Sequence, residues 1–356
     1  MAPTARRAAI ASLVVGGIVV LALALWKLRL LIALLFLGFI IAAAMRPGVE
    51  WLQRRRIPRG IGIALHYTAL FAAVGLLLYL VVPRALNQVT DALETLPEEG
   101  EQSAIGEEAE ESSGLKGEIL TALERRLENL PSGEQLLDPA LELTLLTVEV
   151  AIGIFFVLAT GAYWIFERRH AVDLVASLVP RPKRKKVRDT WDLIDLKLGA
   201  YVRGQLILIA LVATVLSLAF WAIGLPYWIL IGIFAGVVEI IPVIGPLAAG
   251  TLAVGVGLTE SWQLALVAGL IVLVVRLLED YIVIPRVLGE AVGLSPLLVL
   301  FSVTAVAVLF GEFAVLLAIP IAAVVGTLVD VILRGKDPTE EDVPAVIFSA
   351  MESETA

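Results

Sequence analysis

The stretch Glu239-Ile240-Ile241-Pro242-Val243-Ile244-Gly245-Pro246 closes an apolar run, Tyr227–Ile241, of 15 residues. As helix that run reaches about 22 Å, short of the roughly 30 Å of bilayer hydrocarbon. Two prolines and a glycine follow it, and proline cannot donate a helical hydrogen bond. The next run, Leu247–Thr259, is shorter still. A broken helix frees backbone N–H and C=O groups, which cannot face lipid and must line protein or a wet cavity.

The same pattern recurs toward the C-terminus. A full-length run, Trp262–Ile284, ends at Pro285-Arg286. Pro296–Phe310 is short and is broken by Gly311-Glu312, and Phe313–Leu333 is full length and contains Pro320. A long helix plus a short, broken pair is thus expected twice, over about 203–259 and 262–333. Paired interrupted segments of this kind point to a transporter's binding site.

Outward from this region the chain stays apolar. Of 356 residues 59% are hydrophobic and 17% charged, and the mean hydropathy is +0.92. Soluble domains hold about 45–50% apolar and about 25% charged residues. The composition therefore excludes a soluble enzyme, a disordered chain and a nucleic-acid-binding domain. It predicts an all-α polytopic membrane protein with about six full transmembrane helices plus the two broken helical hairpins.

The N-terminal runs are Ala8–Trp26, Leu30–Met45 and Gly60–Val82, the last ending at Pro83. No small-x-small cleavage site closes the first, so it reads as a retained helix, in a tight hairpin with the second. A fourth run, Leu143–Phe166, leads into the basic stretch 167–202, whose end from Thr190 to Val202 reads as helix entering a fifth run near Ile223. Between runs three and four lies a polar segment, 84–142, with 15 acids and 4 bases, while the rest of the chain holds 20 acids and 23 bases. Within it, Leu115, Ile119, Leu120, Leu123, Leu127 and Leu130 follow helical spacing and predict an amphipathic helix, and Glu98–Ser113 reads as a loop.

Positive charge orients membrane helices. Arg54-Arg55-Arg56 with Arg59, and the 167–202 stretch, are expected to be cytoplasmic, with both termini inside and 84–142 outside. The expected organisation is a three-helix region 1–83, an acidic extracytoplasmic segment 84–142, a fourth helix with basic loop 143–202, a transport region 203–333 and a cytoplasmic tail 334–356.

Chemistry is constrained by what is missing. There are no cysteines and two histidines, His66 and His170, in different segments. Thiolate chemistry is excluded, and no Walker loop or dinucleotide fingerprint is present. No catalytic residue, metal site or cofactor is expected, and the reading is a non-enzyme.

Ionisable residues inside apolar runs are costly and mark function by default. Glu239, three residues before Pro242, reads as a proton or cation site, or as a cap on backbone freed at the break. Arg276, Glu279 and Asp280 share one helix at spacings that place both acids beside the arginine, with one carboxylate in excess. That set is either an ion pair that lets the helix insert or a titrating site. Glu312 sits at the second break. The expected substrate or ion pathway is Glu239, Pro242, Gly245, Pro246, Arg276, Glu279, Asp280, Gly311, Glu312 and Pro320. Gly232-x-x-x-Gly236 and Gly16-Gly17 suit close helix packing. The Lys183–Lys186 run attracts anionic membrane lipid.

Several stretches in order resemble the autoinducer-2 exporter family. Glu239 to Pro246 looks like that family's E-x-I-P-x-I-G-P motif, and Glu279-Asp280-Tyr281 to Pro285-Arg286-Val287-Leu288-Gly289 looks like its acid-plus-P-R-x-x-G stretch. Leu294-Ser295-Pro296-Leu297, Leu309-Phe310-Gly311 and Leu317-Ala318-Ile319-Pro320 continue the likeness, and Arg46-Pro47, Ile57-Pro58-Arg59-Gly60 and Gly204-Gln205 precede it. The resemblance implies a secondary transporter of the bacterial inner membrane with paired helical hairpins and elevator-like alternating access, assembled as a homo-oligomer, expected to be a pentamer. Some relatives resemble exporters of autoinducer-2 and others sodium(lithium)/proton antiporters.

Three functions follow as expectations: export of a small polar solute, cation/proton antiport through Glu239 and the Glu279/Asp280 pair, or a membrane scaffold docking through the acidic segment. The helix breaks weigh against the scaffold, which gains nothing from them. The substrate is a small molecule or an ion, and no nucleic-acid partner is expected.

Overall fold

The computed structural model describes residues 2–94, 137–241, 244–287, 296–341 and 343. Among these the ordered secondary structure is helical. The helices are α1 (Ala2–Lys27), α2 (Arg29–Arg54), α3 (Arg59–Glu94), α4 (Leu137–Ser177), α5 (Arg184–Ala222), α6 (Trp228–Val238), α7 (Ile244–Glu260), α8 (Trp262–Leu278), the short α9 (Ile284–Val287), α10 (Pro296–Phe310) and α11 (Ala318–Ile332). Five stretches are long and apolar enough to cross a membrane: Arg29–Arg54, Arg59–Leu76, Val148–Ser177, Arg181–Ala222 and Phe313–Ile332. Shorter apolar helices, among them Trp228–Val238, Ile244–Glu260 and Leu297–Phe310, fill the places where broken pairs are expected. The chain is a polytopic α-helical membrane protein. Its large exposed apolar side chains, such as Phe155, Leu206, Leu266 and Phe301, are what a bilayer covers.

The chain divides into two units, Met1–Ala73 with Phe155–Ala356, and Val74–Ile154. The described parts of the second unit are the distal portion of α3 and the first part of α4. The expected amphipathic helix at 115–130 and the loop 98–113 lie outside the described residues.

In the first unit α5 is the spine. Its 39 residues extend about 58 Å, nearly twice the hydrocarbon thickness. One half carries Ile194 and Leu198, which pack with Ile40 of α2 and with Val306, Leu317 and Ala318 of the second broken pair. The other half carries Val212, Leu216 and Phe220, packed with Ile231 and Ala235 of α6, Ala249 and Ala253 of α7 and Ala268 of α8. Each broken pair thus seats on its own stretch of one continuous helix.

Small residues allow these approaches. A Cβ on Gly232 would lie 2.2 Å from Ser217 Oγ, and one on Gly236 would lie 2.6 Å from the Ile209 carbonyl oxygen. The Gly-x-x-x-Gly pair is therefore the α5–α6 contact. Ser261 caps α8 by accepting a hydrogen bond from the Leu264 N–H at 3.2 Å.

Several helices run past the limits of their apolar runs. Pro47 lies inside α2 and Pro83 inside α3, so neither ends its helix; each removes one backbone donor while the helix continues. The tight N-terminal hairpin is not formed. One residue, Leu28, separates α1 from α2, with φ −89° and ψ 5°, and helical bonds persist at Leu28 N–H to Ala24 and Ile32 N–H to Leu28. Reversal needs a loop of about 2–5 residues, so the chain bends there instead, and residues 12–27 are almost uniformly exposed.

Candidate functional site

The first broken pair is α6 and α7. Tyr227 opens α6 in the left-handed region, at φ 55°, after Gly224 at φ 71°. α6 ends at Val238, and Glu239 occupies its C-terminal cap. Pro242 falls outside the described residues. On the far side of the break, a Cβ on Gly245 would stand 2.1 Å from the Val238 carbonyl oxygen. Only glycine lets α7 start this close to the end of α6. Pro246, half-buried, then lies in the first turn of α7, where a helix has no use for a backbone donor.

Across from the break, α8 gives way to a π-turn, Glu279–Val283. Such turns are rare and are frequent at functional sites. Here the turn carries both expected acids and places them against Arg276, one turn earlier. Arg276 Nη1 lies 2.7 Å from Glu239 Oε1 and 3.3 Å from Glu279 Oε2, and Nη2 lies 2.8 Å from Asp280 Oδ1. One guanidinium therefore holds three carboxylates from two elements that are 37 residues apart in sequence.

The surroundings make this arrangement costly. The Glu239 side chain is 8% exposed and that of Glu279 3%, while Asp280 is 41% exposed. Glu279 Oε1 is buried with no hydrogen-bond partner. Gln205 of α5 donates through Nε2 to the Glu239 backbone carbonyl at 3.3 Å, which occupies one acceptor freed by the end of α6. The carboxylate of Glu239 is thus turned to Arg276, away from capping backbone. Burying charge without full pairing costs several kcal/mol. An unpaired buried carboxylate oxygen beside two more acids leaves an excess of negative charge at this point.

The second break places its residues elsewhere. Gly311 adopts φ 92° and ψ 174°, a region that a side chain rarely tolerates. Glu312 begins a 3₁₀ turn that runs to Leu317, and Pro320 is fully buried in the first turn of α11. The Glu312 side chain lies outside the described residues. This region packs with α2 and the first half of α5. Of the ten expected pathway residues, Pro242 lies outside the described residues, six (Glu239, Gly245, Pro246, Arg276, Glu279 and Asp280) gather at the first break, and three (Gly311, Glu312 and Pro320) gather at the second.

Comparison with known sequences fits this architecture. A family model described as AI-2E family transporter matches residues 15–334, from within α1 to just past α11. The chain belongs to that family. Its relatives include YrrI of Bacillus subtilis (strain 168), named provisionally as a transport protein, 26% identical over 316 residues, covering 84% of this chain and 86% of YrrI. MT0215 of Mycobacterium tuberculosis (strain CDC 1551 / Oshkosh), named in the same way, is 27% identical over 333 residues, 90% of this chain and 88% of its own. PerM of Escherichia coli (strain K12), named provisionally as a permease, is 24% identical over 260 residues, 71% of this chain and 70% of its own. Membership of the AI-2E family makes the chain a multi-pass membrane transporter, in keeping with the non-enzyme reading.

Some polar residues of α5 escaped the reading by sequence. Asp195, Lys197, Arg203 and Gln205 are all buried. Lys197 Nζ lies 2.5 Å from Glu341 of the tail and donates to Thr327 of α11 at 3.3 Å. The available signal was a helix that stays continuous from the basic stretch into the apolar run. Helical spacing over Thr190–Val202 marks a helix there but not which of its side chains packing buries.

Proposed function

We propose that this chain is a cation-coupled secondary transporter in which Glu239, Glu279 and Asp280 form the coupling-ion site and Arg276 is their fixed counter-charge. The observation that carries the reading is the excess of carboxylates. Three acids on one guanidinium, with Glu279 Oε1 unpaired and buried, leave negative charge for a proton or a sodium-sized cation to offset. A purely structural ion pair would balance, because uncompensated buried charge is destabilising. The location beside a helix break supports the same reading, since breaks bring transport sites to membrane depth.

In this reading one cation replaces another at the carboxylates, which gives sodium(lithium)/proton antiport. The two broken pairs supply the moving element of an elevator-like alternating access. The basic ends of α2, α4 and α5 face the cytoplasm of the inner membrane, and the protein works as a homo-oligomer. Pro242, Gly311, Glu312 and Pro320 belong to the breaks that permit the motion.

A second reading is export of an autoinducer-2-like polar solute, which the family match favours. There the carboxylates bind the driving proton and the solute occupies an adjoining wet space.

Purified protein in vesicles with an imposed pH gradient tests the first reading. Sodium or lithium should dissipate the gradient, potassium should do so less, and Glu239→Gln should abolish the effect. Gradients indifferent to all three ions would overturn antiport. Labelled-signal efflux tests the second, and equal retention in cells with and without the protein would overturn it.

A further inference from the structure

A second polar site lies away from the helix breaks. The ends of α2, α4 and α5 meet in a cluster of ion pairs. Arg46 Nε lies 2.7 Å from Glu50 Oε1, and Arg46 Nη1 lies 3.0 Å from Asp195 Oδ2. Arg168 bonds the same Asp195 oxygen through Nε and reaches Asp192 Oδ1 at 2.5 Å through Nη2. This cluster borders a cavity of about 50 Å³ whose charged wall is Arg46, Glu50, Arg59, Arg168, Arg169 and Asp195. One water needs only about 10–15 Å³ of such space, so the cavity holds several waters or one phosphate-sized group.

Three features make it a site and not a gap in packing. First, the wall has four guanidiniums against two carboxylates. Arg46 and Arg168 are paired, whereas Arg59 and Arg169 have no carboxylate partner among the described residues; Arg59 donates only to the neutral Gln53, at 2.9 Å. Second, two buried polar atoms on wall residues have no partner: Asp195 Oδ1, an acceptor, and Trp164 Nε1, a donor. Third, the wall is amphipathic. Ala42, Ala43 and Ile165 line it from the apolar parts of α2 and α4, and the arginines line the other end. One turn beyond Arg46–Glu50, Arg55 stacks on Trp51 at 4.0 Å, and tryptophan collects at the level of lipid headgroups.

We propose that this cavity binds a phosphate ester, with the phosphate on Arg59 and Arg169. Guanidinium groups match phosphate in geometry and charge. The amphipathic wall at headgroup level suits the phosphodiester of a glycerol-type membrane lipid. Inorganic phosphate shares the anionic half of this chemistry. The site is independent of the ion-coupling cluster, since it lies on α2, α3, α4 and the first half of α5.

Delipidated protein in detergent is titrated with phosphatidylglycerol, with phosphatidylcholine and with inorganic phosphate, and the rise in melting temperature is read. Phosphatidylglycerol should bind best, and Arg59→Gln with Arg169→Gln should weaken it about tenfold. Arg169→Gln alone, at an exposed position, should weaken it several-fold and guards against misfolding of the double variant. Lys27→Gln, at the end of α1 and away from the cavity, should leave it unchanged. Inorganic phosphate that binds as well as phosphatidylglycerol, with the same sensitivity to Arg169→Gln, would overturn the lipid assignment in favour of the free anion. Binding that resists the arginine variants, or that falls as much with Lys27→Gln, would overturn the proposal.

Discussion

Arg276 bonds three carboxylates at once, and the two kinds of residue in that cluster should respond differently to neutralisation. Arg276→Gln leaves the acids without their shared counter-charge. Breaking a buried pair in this way costs about 3–5 kcal/mol, so the melting temperature of the purified protein should fall clearly. Glu239→Gln leaves Arg276 with Glu279 and Asp280 and relieves repulsion among the acids. Its melting temperature should stay at or above that of the parent protein while ion coupling is lost. A larger fall for Glu239→Gln than for Arg276→Gln would mean that Glu239 holds the fold together and is no ion site. Proximity of Arg276, Glu279 and Asp280 was legible in the sequence, because helical spacing places them together. The approach of Glu239 was not legible, since its distance from Arg276 depends on how two elements pack. The π-turn was hidden for the same reason, as helical periodicity cannot show one extra residue in a turn.

Among the elements, the first broken pair depends on close contact with α5. A Cβ on Gly232 would meet Ser217 Oγ at 2.2 Å and the Ser217 backbone nitrogen at 2.6 Å. Gly232→Ile should therefore push α6 off α5. Overpacking of this kind costs about 1–3 kcal/mol. The expected outcome is normal insertion with a lowered melting temperature and impaired transport, measured on membrane yield and vesicle assays. Unchanged transport would show that the α5–α6 contact does not position the site. At this scale the sequence marked the breaks well and the helix ends poorly. Gly245 and Gly311 coincide with real interruptions. Pro47 and Pro83 do not, because each removes only one backbone donor from an otherwise continuous helix. Of the polar extension Arg184–Lys197, only the part from Thr190 reads as helix in the sequence, since hydropathy follows the bilayer and the helix continues into water.

In the whole molecule, α5 joins the two broken pairs, and the ends of α2, α4 and α5 meet in the Arg46–Asp195–Arg168 ion pairs. Both basic stretches, Arg54–Arg59 and 167–202, should therefore lie on one side of the membrane. The chain has no cysteine, so single-cysteine variants report position without a background. Arg55→Cys and Lys185→Cys should label from the cytoplasmic side alone. Labelling of the two from opposite sides would contradict the shared face. Charge bias in the sequence indicated this arrangement, and the ion pairs give it a physical basis. The N-terminal hairpin was misread because two apolar runs with two bases between them look alike whether the chain reverses or bends at Leu28.

Antiport requires that the acids around Arg276 bind a cation in exchange for a proton. The most direct measurement is calorimetric titration of purified protein with sodium in two buffers of different ionisation enthalpy. Sodium should bind saturably with release of protons, weakened by rising potassium only slightly and abolished by Glu239→Gln. Saturable binding without proton release, or binding that Glu239→Gln leaves intact, would contradict it.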